Sequence, residues 1–177
     1  MAILKVTRMG HPVLRKKTRA VTAGEIRTPQ VQKLIDDMVE TMREYEGVGL
    51  AAPQVYESKS IVVMEMIVTP GKKSRSDIPL TILINPHYEP LTEEKEEDWE
   101  GCLSIPDLRG SVPRYTKIRV TGLDRKGNAV DFKATGFFAV VLQHEIDHLQ
   151  GILYVDRMKD LKTLAFLKEH YKYWDKD

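Results

Sequence analysis

Apolar residues recur along this chain at two spacings, and the change from one to the other marks out its elements. From Val31 through Leu34, Ile35, Met38 and Val39 to Met42 they return every three or four residues. That period predicts a helix capped by Thr28, with Pro29 in its first turn and Gly47 ending it, and it places the methionines of the stripe in the core. Residues 61–68 and 80–84 are β-branched runs suited to buried strands, separated by a polar stretch at 70–77 that reads as a mobile loop. Residues 117–123 and 129–134 alternate about a turn containing Gly127-Asn128, which predicts a hairpin. In residues 137–149, Phe137, Val140, Val141, Leu142, Ile146 and Leu149 cover much of the circumference of a helix, so that helix should be central and largely buried. Residues 160–174 carry Leu161, Leu164, Leu167, His170 or Tyr171, and Trp174 at helical spacing, as expected of an amphipathic helix packed on the body. Residues 1–24 read as an irregular wrapping segment in which Arg15, Lys16, Lys17 and Arg19 form a solvated face. The acidic run at 93–98 reads as solvated surface.

Composition alters this picture little. A chain of 177 residues suits one compact domain, residues 1–177, with a single sizeable core. With 42% hydrophobic and 30% charged residues it resembles ordinary soluble globular proteins, and its net charge of +1 supplies no global basic field for nucleic acid. Cys102 is the only cysteine, so no intramolecular disulfide can form, in agreement with a reducing compartment. The first residues hold no apolar run of the length of a signal peptide or membrane span, and the stretch at 61–68 is strand length and interrupted by Glu65.

The candidate chemistry lies in QHEIDHLQG at 143–151. On a helix, His144 and His148 share one face, about 6 Å apart along the axis and rotated by roughly 40°. Two imidazoles so placed can share a metal ion, and Glu145 can deprotonate a water beside it. Taken alone, the same spacing also describes a hydrogen-bonded histidine pair. A hydrolytic site needs a third ligand. Glu169 downstream would make a protease-like set, although Lys168, His170 and Lys172 around it suggest a surface helix. Cys102, flanked by Gly101 and Pro106 in a turn-like setting, would make a Cys-His-His set. His11, His87 and His170 lack such partners and default to surface or core. The small residues at 47–55 end in Gln54, which offers both a donor and an acceptor. They have neither the lysine of a phosphate loop nor a full dinucleotide fingerprint.

In order along the chain, GVGLAAPQ at 47–54, EGCLS at 100–104 and QHEIDH at 143–148 resemble the three motifs of the peptide deformylases, and Gly10-His11-Pro12 and Asn85-Pro86 extend the likeness. The resemblance implies an α+β fold, with mixed or antiparallel sheets around a central H-E-x-x-H helix and a helix at the C-terminus. It implies removal of the formyl group from the initiator methionine of new polypeptides, giving formate. Carried over, Cys102, His144 and His148 bind the metal, Glu145 is general base and acid, and the Gln54 side-chain amide and Leu103 backbone N–H hold the oxyanion. The substrate backbone lies along Gly49 as an added strand, and Val48, Phe137 and Val140 form the methionine pocket with Arg109 at its rim. The expected metal is Fe²⁺ in the cell, with Zn²⁺ or another divalent ion as alternatives that suit the same ligands. The expected partners are formyl-methionyl nascent peptides and, at its exit, the ribosome, with no nucleic acid or membrane. The expected compartment is the cytoplasm of a bacterial-type cell, or an organelle if the source is eukaryotic. Asp147 has no place on the metal and should pair with a basic residue such as Arg114. Trp99 departs from the smaller or charged residue of many members, and either shapes the pocket wall or anchors its loop.

Overall fold

The computed structural model describes residues 2–67 and 77–174. Thr28 accepts a hydrogen bond from the Val31 N–H and caps α2 (Pro29–Glu44), after the single turn α1 (Ala23–Ile26). The buried residues of α2 include Val31, Ile35, Met38, Val39 and Met42, the stripe read from the sequence. Beyond it come β1 (Gly49–Ala51), a 3₁₀ turn at Ala52–Val55, β2 (Ile61–Met66) and β3 (Ile78–Pro90). The small-residue stretch at 47–55 is thus partly a strand, and the run expected at 80–84 is the middle of a longer one. The loop expected at 70–77 lies, apart from Asp77, outside the described residues.

Strands β1, β2 and β3 join the hairpin β6 (Lys117–Leu123) and β7 (Ala129–Thr135) in one five-stranded sheet of order β1-β2-β3-β6-β7, all neighbours antiparallel. β2 is apolar on both faces because both are covered. Ile61 and Val63 pack with Ile35, Met38 and Met42 of α2. Val62 and Met64 pack with Leu142, Ile146 and Leu149 of α3 (Gly136–Leu149). Alternation of side chains along a strand produces this division. α3 carries apolar residues around much of its circumference and is buried from Val141 to Leu149, its polar residues included, as expected of a central helix.

A second sheet closes the other side of α3. β4 (Lys95–Cys102) and β5 (Ile105–Tyr115) form a hairpin, and β5 also pairs with the two-residue β8 (Ala165–Phe166). Two expectations need correction here. Glu93 to Glu97 are exposed as expected, but from Lys95 onward the acidic run is part of β4, its backbone paired with β5. The tail is not one helix. After α4 (Tyr154–Arg157), Leu161–Thr163 form a 3₁₀ turn, Ala165–Phe166 pair with Arg109 and Leu108, and only Leu167–Tyr173 form α5. The Asp160 carboxylate accepts from the Lys162 N–H, and Leu161 stays 66% exposed, so the apolar spacing there does not mark a buried face.

Candidate metal centre

β4 carries Cys102 into a tight turn in which Cys102 and Ile105 are paired partners, and this sets its thiol beside α3. Ligand atoms of Cys102, His144 and His148 all lie within 4.8 Å of one another. The Cys102 Sγ is 3.3 Å from His148 Nε2, and the two imidazoles meet edge to face with centroids 5.0 Å apart. One thiolate and two imidazoles converging at this distance fit a divalent transition metal of borderline softness. Glu169, the alternative third ligand, is exposed on α5.

The outer atoms of this cluster are fixed by the fold. His144 Nδ1 is 2.7 Å from Glu100 Oε2, which leaves Nε2 to face the other ligands. Glu100 accepts from Arg114 Nε at 2.6 Å and from Nη2 at 3.0 Å. Arg114 Nη1 donates in turn to Asp147 Oδ2 at 2.6 Å, the pairing anticipated for Asp147, and Arg157 donates to both Asp147 oxygens. Burial alone would raise the Glu100 carboxyl, but the hydrogen bonds from His144 and Arg114 outweigh it and hold it at about 2. A carboxylate behind a ligating histidine fixes its tautomer and the plane of its ring. Glu100 was missed as a functional residue in the sequence. The signal was available, since a buried ligand histidine needs an acceptor at its second nitrogen, but many carboxylates could have met that need.

Glu145 lies on the cleft side of the cluster, 4% exposed, and its Oε2 has no hydrogen-bond partner. Burial pushes its carboxyl up to about 7. Gly49 is adjacent: a Cβ added there would overlap the Glu145 carboxylate, so only glycine permits this approach. The Gln54 amide is fixed in direction. Its Oε1 accepts from the Ala51 N–H at 2.8 Å, and its Nε2 faces Cys102 Sγ at 3.4 Å and Ser104 Oγ at 3.3 Å.

These groups border a cleft of about 490 Å³. Val48, Gly49, Gln54, Leu103, Phe137 and Val140 line it together with Cys102, His144 and Glu145. Arg109 lines it too, its guanidinium lying on the bare face of Gly101, in the space that a Cβ there would occupy. His148 sits behind the cleft, 1% exposed. The structure brings every candidate from the three motifs to one place, and to the cleft wall it adds Arg8 and Leu167, which the sequence had not singled out for it. Trp99 does both things considered for it: it lines the cleft, and it packs edge to face on His170 and at a tilt on Trp174 of the tail.

The same combination of chain and fold is found in known proteins. The sequence model of the family described as polypeptide deformylase matches residues 3–164. Peptide deformylase 1 of Nitrosomonas europaea is 46% identical over 164 residues, covering 93% of this chain and 92% of that one. Peptide deformylase 1A, chloroplastic/mitochondrial, of Arabidopsis thaliana is 40% identical over 163 residues, 87% of this chain and 61% of that one. A Met-Ala-Ser-bound crystal structure of a class I type b peptide deformylase from Acinetobacter baumannii superposes with a TM-score of 0.84 at 36% identity, over 89% of this chain and 99% of that one. This chain belongs to the polypeptide deformylase family.

Proposed function

We propose that this protein hydrolyses the N-formyl group from formyl-methionyl termini of new polypeptides, using one divalent metal held by Cys102, His144 and His148. The observation that carries the reading is the convergence of one thiol and two imidazoles within 4.8 Å beside a cleft of about 490 Å³ that Cys102, His144 and Glu145 line. A fourth protein ligand would suit a purely structural site; among the described residues the group has three members. A cation bound there supplies Lewis acidity, polarising the formyl carbonyl and making a nearby water more acidic.

The remaining chemistry belongs to the chain itself. Glu145 accepts a proton from water as the new C–O bond forms, and it returns that proton to the amine nitrogen as the C–N bond breaks, leaving formate and a free amino terminus. Its unpartnered Oε2 and elevated pKa suit a group that must both take and give a proton near neutral pH. The Gln54 Nε2, aimed toward Cys102, and the Leu103 N–H stabilise the negative charge on the former formyl oxygen.

Two sheet edges, unpaired among the described residues, shape the cleft. β1 ends the five-stranded sheet and β4 ends the three-stranded one, and Gly49 and Gly101 from these edges both line the cleft. An extended peptide can pair with such an edge through its main chain, so the grip tolerates many sequences after methionine. Val48, Phe137 and Val140 receive the methionine side chain, and Arg109 stands at the rim. Fe²⁺ is the metal assigned in the cell, with Zn²⁺ able to take the same ligands. The compartment assigned is the one in which formylated chains are made, the bacterial cytoplasm or its organellar counterpart. Among the described residues no helix is long and apolar enough to cross a membrane. Formate release from formyl-Met-Ala-Ser by the anaerobically purified, metal-analysed protein tests the reading. Cleavage of internal peptide bonds without formate would overturn it.

A further inference from the structure

We infer that the C-terminal segment, through Leu167 and the Trp99 ring that it braces, selects the second residue of the substrate and favours a large apolar or aromatic side chain there. The inference rests on the deformylase reading and deepens it. It starts from alternation along β4. Glu100 points inward to Arg114 and His144, on the α3 side of the strand. Its neighbour Trp99 must point to the other face, and there it packs on His170, with ring centroids 4.4 Å apart, and on Trp174 at 5.3 Å.

A substrate held as an added strand alternates in the same way. If its first side chain enters the pocket formed by Phe137 and Val140 of α3, its second points away from α3. The cleft residues there include Trp99, Arg109 and Leu167, which β4, β5 and the start of α5 carry, with Trp99 packed on α5 and Arg109 paired with β8. They form a joined wall, because β8 pairs Ala165 with Arg109 and Phe166 with Leu108, which delivers Leu167 to the cleft at the start of α5. His170 anchors α5 beneath Trp99; it is 7% exposed, and neither ring nitrogen has a hydrogen-bond partner, so the contact is one of ring packing. An indole, a leucine and a planar guanidinium together suit an aromatic or large aliphatic side chain. The family match covers residues 3–164, and Leu167 follows it directly at the start of α5.

The test compares kcat/KM for formyl-Met-Phe-Ser and formyl-Met-Gly-Ser, measured as formate release by the metal-loaded full-length protein. Partial burial of one aromatic ring corresponds to a preference of about tenfold for the phenylalanine peptide. Leu167→Asp is expected to bring the ratio close to one, and Trp99→Ala to reduce it as well. The ratio does not depend on how much of a variant is folded, so loss of stability cannot imitate the result. A wild-type ratio near one, or a ratio unchanged in Leu167→Asp, overturns the inference while leaving the deformylase reading intact. Absence of formate from every peptide overturns that reading instead.

Discussion

Gly49 shows how narrowly single residues are constrained here. A methyl group at that position would overlap the Glu145 carboxylate, yet the site is at the cleft surface and holds up little of the core. Gly49→Ala should therefore lower kcat/KM by about 10²-fold, the cost of displacing by an ångström the group proposed to move the proton, while its thermal midpoint stays close to wild type. Glu145→Gln keeps the shape of the side chain and removes its proton chemistry. Metal content by elemental analysis should be unchanged, while turnover falls by about 10²- to 10⁴-fold. Because burial already pushes the Glu145 carboxyl up to about 7, a neutral amide should be at least as easy to bury, and an unfolding titration should show no loss of stability. A Glu145→Gln protein that lost its metal, or kept full turnover, would remove Glu145 from the proton-transfer role.

At the scale of elements, the β4–β5 hairpin and α3 are locked together by charge as much as by packing. Arg114 on β5 is 3% exposed and bonds Glu100 on β4 and Asp147 on α3. Removing one partner of a buried ion group leaves the others uncompensated, so Arg114→Met should cost about 3–5 kcal/mol in a denaturant titration. The pH dependence has a definite sign. The folded pKa of Glu100, about 2, lies below its ordinary value of 4.5, so its contribution is complete above pH 4.5 and is lost as pH falls toward 2. The contribution is on the order of 3 kcal/mol, at about 1.4 kcal/mol per pH unit. Glu100→Gln should flatten that part of the stability profile, and an unchanged slope between pH 4.5 and 2 would show that other carboxylates set it. The helices α2 and α3 were legible from apolar spacing because their burial follows the period of the helix itself. β5 was not, since Pro106, Asp107, Gly110 and Pro113 interrupt any alternation, and its strand character comes from pairing with β4.

For the molecule as a whole, a metal that binds only the folded ligand set adds its binding energy to stability. At a free metal concentration 100 times its dissociation constant this is about 2.7 kcal/mol. For a chain of this size that corresponds to a thermal midpoint higher by about 5–10 °C, so chelation should lower the midpoint by that amount in calorimetry. Cys102→Ala should show no such response. If the variant responded to chelator as the wild type does, the metal would be held elsewhere. Stability and activity are thus joined at Cys102, since its thiol also belongs to the apolar cluster with Leu14, Ile105, Val112, Leu153 and Tyr154.

Much of the site could be read from residues close together in the chain. His144, Glu145 and His148 take their relative positions from one helical turn, and the capped stripe of α2 takes its buried face from the same geometry. The choice of third ligand could not be read that way without the family resemblance. Cys102 and Glu169 are both distant from His148 in sequence, and it is the hairpin turn at Cys102 and the outward face of α5 that bring Cys102, and not Glu169, beside the two histidines. Tertiary structure likewise decided that Glu100 orients His144, that the tail is a strand followed by a short helix, and that Trp99 turns toward that tail. Local periodicity fixes which face of an element is apolar, because side-chain direction repeats along the backbone. Which elements then meet across that face depends on pairing and packing between residues tens of positions apart, and here those long-range contacts turn three short motifs into one site.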